Sequence, residues 1–142
     1  MPKAPKKSGS ARRKPTPEEL RGLDVEIAFM EGLVKRDSSH EEALLILAED
    51  YTRRQRFAEG LRIDERLSQL RPQDPMVHYN LACSLSLTGQ IELAVETLKK
   101  AVNLGFADFA AMAKDADLKN IREHPEYKKL RAKARRLSVR ET

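Results

Sequence analysis

Apolar residues recur along this chain at the three- and four-residue spacing of amphipathic helices. Leu20, Leu23, Ile27, Met30 and Val34 make one stripe. Thr16-Pro17-Glu18-Glu19 precedes it as a helix start: Thr16 caps, Pro17 takes the first turn where no donor is missed, and Glu19 follows the cap by three places. This helix is expected to end among the turn-forming residues 36–39. Further helices are expected over about 41–54 and 57–70. Arg71-Pro72-Gln73-Asp74-Pro75 then breaks the chain, with Asp74 and Pro75 as cap and first turn of a helix to about residue 88. Gly89-Gln90 turns into another over 91–104, closed by Gly105. Loops of two to five residues make each helix fold back on its predecessor. Beyond them the pattern predicts a short helix over 106–114, a single turn at 115–118 and a last helix from 124 to about 137. Residues 1–17, rich in Pro, Lys and Ser and without an apolar period, are expected to be disordered.

Displacing the sequence by 34 superimposes the two central hairpins without a gap. Four pairs are identical: Leu47 and Leu81, Ala48 and Ala82, Leu70 and Leu104, Asp74 and Asp108. Size is kept more widely, as in Tyr51 with Leu85, Phe57 with Ile91, Leu61 with Val95, and the small pair Gly60 and Ala94. Matched small positions mark places where two helices approach closely. A helix–turn–helix period of 34 resembles the tetratricopeptide repeat. Asn80-Leu81-Ala82, Leu85, Gly89, Ala94, Leu98 and Ala101 carry the resemblance best. The 41–74 unit is more divergent: Leu44 and His78 stand where the family often has Trp, Gln55 replaces the turn glycine, and Asp64 replaces an apolar residue. The resemblance implies an all-α, right-handed solenoid of two full repeats, 41–74 and 75–108. A degenerate half-repeat over 18–40 would precede them, with capping helices and a basic tail over 109–142 to follow.

Composition favours a helical chain. Of 142 residues, 35% are charged and 5% aromatic, with no Trp, which favours a core of Leu, Ala and Ile between helices over a β-sandwich. The single Cys83 excludes an internal disulfide and a cysteine zinc cluster. No apolar run approaches the ~20 residues of a membrane span, so a cytoplasmic protein is expected. The net charge of +5 conceals a division: residues 1–17 hold six basic groups and no acid, residues 119–142 nine basic and three acidic, and the body 12 basic and 19 acidic.

Nothing in the sequence predicts catalysis, a cofactor or a metal. His40, His78 and His124 are scattered, His78 at a packing position, and no phosphate-binding glycine loop is present. By its resemblance to the repeat family, the chain is expected to bind a protein or peptide of unknown identity in a groove. That groove would be lined by Leu45, Glu49, Thr52 and Arg53 and by Tyr79, Asn80, Cys83, Ser86 and Leu87. The subtype that clamps a C-terminal carboxylate is not expected, because Leu45 and Glu49 stand where a cation and an amide are needed. The alternative is a nucleic-acid-associated protein using its basic tails, although the N-terminal tail has no aromatic for base stacking.

Overall fold

A computed structural model of the chain describes residues 4–7, 9 and 13–141, with side chains through Arg136. Among them are seven α-helices, one 3-10 helix and no strand: α1 (Pro17–Arg36), α2 (Glu41–Arg53), α3 (Phe57–Leu70), α4 (Pro75–Leu87), α5 (Ile91–Asn103), α6 (Phe109–Lys114), the 3-10 helix (Ala116–Ile121) and α7 (Pro125–Glu141). No helix among the described residues is long and apolar enough to cross a membrane.

α1, α2 and α4 start where a side chain supplies an acceptor for their unpaired N–H groups, whereas α3 and α5 have no side-chain cap. The Thr16 hydroxyl accepts from the Glu19 N–H at 3.1 Å, and Asp74 Oδ1 accepts from the N–H groups of Met76 and Val77. His40 caps α2 in the same way, its Nδ1 accepting from the Ala43 N–H at 3.1 Å. The ends are equally regular. Arg56 N–H donates to the Tyr51 carbonyl, Gln90 N–H to Leu85 and Phe106 N–H to Ala101, all at 2.8–2.9 Å. In each case the residue before the donor has positive φ: Gln55 at 62°, Gly89 at 79° and Gly105 at 117°. This is the six-to-one bond of a left-handed helix cap, and its first two occurrences are 34 residues apart.

Helices pack on their sequence neighbours: α1 on α2, α2 on α3, α3 on α4 and α4 on α5. The 3-10 helix then packs on α4 and α5, and α7 reaches α5 and α6. The largest apolar cluster lies at this end. In it Tyr79 stacks on Phe106, ring centroids 4.2 Å apart, beside Leu98, Met112, Leu118, Ile121 and Tyr127. On α7, Tyr127, Leu130 and Ala134 face inward while Lys128, Lys129 and Lys133 stay in water. A second cluster joins Leu44, Ala48, Leu67 and Val77 and includes one residue from far away in sequence, Ala4.

That contact departs from the expectation of a disordered tail. Residues 4–7 form no helix or strand, yet Ala4 and Lys7 are buried and hydrogen-bonded to the helical body. Residues 1–3, 8 and 10–12 lie outside the described part of the chain, and the expectation for them with it. The reason the sequence misleads here is that a segment without a core of its own can still be ordered by a surface that satisfies its backbone.

Candidate functional site

The site is the face of α4 and the neighbouring faces of α2 and α3, on which residues 4–7 lie outside any helix or strand. Pro5 keeps the preceding residue out of the helical region, and the burial pattern follows a period of three: Ala4 in, Pro5 and Lys6 out, Lys7 in. A polyproline II segment, with three residues per turn, presents its side chains in this way. Ala4 enters the apolar cluster, and its N–H donates to Asp74 Oδ2 at 2.9 Å. The Asn80 side-chain amide holds the next peptide units from both sides. Its Nδ2 donates to the Pro5 carbonyl at 3.0 Å, and its Oδ1 accepts from the Lys7 N–H at 3.2 Å.

Lys7 then points inward, and its side chain is 6% exposed. The ammonium donates to Asp64 Oδ2 at 2.7 Å, Ser84 Oγ at 2.9 Å and Thr52 Oγ1 at 3.1 Å. Three donors meet three acceptors, one from each of α3, α4 and α2, so the buried charge has both a counter-ion and a full hydrogen-bond complement. Ser84 Oγ in turn donates to Asp64, and Thr52 Oγ1 donates to the Ala48 carbonyl at 2.9 Å. Lys6, more exposed, lies 3.3 Å from Asp115 Oδ2 and 5.7 Å from the centroid of the Tyr79 ring.

Beside Pro5 and Lys7 a cavity of about 330 Å³ opens towards α1. Leu45, Ile46 and Ala48 give it apolar walls, and Glu26, Glu49 and Asp50 an acidic one. Burial and contact with Glu26, with added repulsion from Glu49, push the Asp50 carboxyl up to about 8. Asp74 moves the other way. Burial opposes its ionisation, but the N–H groups of Ala4, Met76 and Val77 and the Arg71 side chain together hold it below the usual carboxylate range.

The expected groove residues divide. Asn80 and Thr52 touch the bound segment, and Leu45 and Glu49 line the cavity beside it. Tyr79 is fully buried on Phe106, its hydroxyl donates to Asp115 Oδ2 at 2.6 Å, and only Lys6 of the described tail lies over its ring. Ser86 is fully buried, and Arg53 turns towards α1, 3.9 Å from Glu19. Leu87 is half-buried at the end of α4. These corrections share a cause. A residue on the inner side of a first-of-pair helix is covered when a further element packs there, and here α1 and the 3-10 helix cover both flanks.

Cys83 is buried as well, which pushes its thiol up, and the nearby Asp115 and Asp117 add to the effect. These three residues bring ligand-type atoms within 4.8 Å of one another. Asp115 Oδ2 already meets the Tyr79 hydroxyl, the Cys83 thiol and the Lys6 ammonium, so protein groups meet the need a cation would fill. His78 takes the packing role expected of it, with Nε2 2.8 Å from the Pro72 carbonyl.

Sequence reasoning missed Asp64, Ser84 and Lys7. Asp64 did leave a signal, since a carboxylate stands where the repeat pattern calls for an apolar side chain. Comparison with protein-family models, with curated proteins and with solved structures found no match.

Proposed function

We propose that this chain is a non-enzymatic protein-interaction module that holds an extended segment of another protein across α4 and the adjoining end of α2. In this reading it is a short solenoid of the tetratricopeptide type, with full repeats at 41–74 and 75–108. The cap hydrogen bonds that recur at a 34-residue interval support the repeat.

The observation that carries the reading is the Asn80 amide. One side chain accepts from and donates to the backbone of a non-helical segment, a contact that needs no particular side chain on the ligand and so suits a peptide receptor. The adjacent cavity offers room for a further residue. The nucleic-acid alternative gains no comparable support, because Lys7 and Lys6 are paired with Asp64 and Asp115 and Arg13 with Glu19.

The test is site-specific photo-crosslinking in cells of the source organism. A photoreactive residue in place of Leu45 or Glu49, at the cavity, is expected to form adducts with a partner protein. The same residue in place of Arg62 or Glu96, exposed on α3 and α5, is expected to form none. Adducts from all four positions alike, or none from Leu45 and Glu49, would overturn the reading.

A further inference from the structure

The cage around Lys7 is more selective than a peptide-holding groove requires, and its occupant belongs to the same chain. Asp64 is 1% exposed, in the middle of a helix, at a position that faces α2 and α4. A carboxylate so placed needs a cation. Without one the buried charge is uncompensated, and nothing keeps the Thr52 and Ser84 hydroxyls aimed at a common point. With Lys7 in place each hydroxyl has a role, and all three ammonium donors are used. A guanidinium would bring five donors in a rigid plane to a site with three convergent acceptors, so the arrangement suits lysine better than arginine.

From this geometry we propose that the groove reads an extended segment carrying a lysine three residues after a small apolar residue, and that residues 4–7 occupy it in cis until a partner segment of the same chemistry displaces them. The inference rests on the interaction-module reading and adds the ligand class and the competitor. Ala4 sets the register by filling the space between Leu44, Leu67 and Val77. Asn80 holds the backbone whatever the side chains, and Lys7 supplies the discrimination. Lys6 adds a second, partly exposed ion pair, its ammonium 3.3 Å from Asp115 Oδ2. Only residues 8–16 separate the bound segment from α1. A tether of that length gives an effective concentration on the order of millimolar, which a free partner at lower concentration has to overcome.

The experiment uses the full chain with Lys7→Ala, which removes the anchor of the cis segment, and a labelled synthetic peptide copying residues 2–9 with blocked ends, followed by fluorescence anisotropy. The peptide is expected to bind the Lys7→Ala chain at least tenfold more tightly than the unsubstituted chain. Norleucine at the peptide's Lys7 position keeps the methylenes and removes the charge, and is expected to weaken binding at least tenfold. Adding Asp64→Asn to the Lys7→Ala chain is expected to weaken binding similarly with helical content unchanged. Should that variant not fold, the norleucine peptide still decides the point, because it leaves the protein untouched.

Three results would overturn the proposal. Equal binding of the lysine and norleucine peptides would leave a peptide groove that does not read lysine, so the interaction-module reading would survive alone. Equal affinity of the substituted and unsubstituted chains would remove the cis competition. Absence of binding up to about 1 mM peptide, the effective concentration assumed for the tether, would remove both.

Discussion

Asp50, on α2, is 3% exposed and shares the acidic wall of the cavity with Glu26 and Glu49. Its carboxyl titrates near 8 in the folded chain, chiefly through burial and then through Glu26 and Glu49, with Arg53 opposing them. An unfolded aspartate titrates near 3.9. The native state therefore binds the extra proton between those values, and its stability from this group is full below about pH 4 and lost as pH rises through 8. Urea unfolding at pH 5, 7 and 8.5 should give a falling stability. Asp50→Asn should flatten the slope and exceed the parent at pH 8.5 by ~1 kcal/mol or more. An identical slope in the two proteins would show that Asp50 ionises normally. Neither this pair nor the Lys7–Asp64 pair was legible in the sequence. Glu26 and Asp50 are 24 positions apart and Lys7 and Asp64 are 57, and a linear pattern gives helix faces but not which charged groups two packed faces bring together. Asn80 was legible as a position, because the repeat resemblance places it on the groove side of its helix.

Among the elements, the helix ends are the most informative. Three helices, α2, α4 and α5, close with the same pair of hydrogen bonds around a residue of positive φ, and in two of them that residue is glycine. Gln55 is the exception, at φ 62°. A left-handed conformation costs a residue with a Cβ roughly 1–2 kcal/mol, partly offset by the greater freedom glycine has to lose on folding. Gln55→Gly should therefore stabilise the chain by about 0.5–1 kcal/mol, read as a higher melting temperature at unchanged helical content. A lower melting temperature would mean that the Gln55 side chain makes a contact worth more than the strain. Element positions were legible almost throughout, since α2 to α5 begin at residues 41, 57, 75 and 91, where the apolar pattern and its breaks predict. The expected short helix over 106–114 starts later, at Phe109, because the Asp108 side chain accepts from the Ala111 N–H and fixes the start there, while Phe106 is drawn under Tyr79. The turn expected over 115–118 extends as a 3-10 helix to Ile121, carried by the burial of Leu118 and Ile121 rather than by any helix-forming pattern.

On the scale of the whole molecule, α4 is enclosed: α3, α5 and the 3-10 helix all pack on it, and the N-terminal segment lies along its remaining side. The closing segment thus belongs to the core, as Ile121 and Leu118 at 0% exposure require. Ile121→Ala should cost 2–5 kcal/mol, the range for emptying a fully buried aliphatic site, in the cooperative denaturant transition of the whole chain. A cost below about 1 kcal/mol, the size of a surface change, would mean that the C-terminal part unfolds independently. The sequence by itself determined the helices, their ends, the short loops that fold each on the last and the 34-residue recurrence. All of these follow from local propensity and from periodicity within one or two turns. Only the tertiary structure decided which groove residues stay open, that Tyr79 serves the core, and that an apparently structureless basic segment has a seat. Those outcomes depend on charges and surfaces far apart in sequence. The cage for Lys7 draws on three helices and forms only after they pack, so its specificity belongs to no single stretch of the chain.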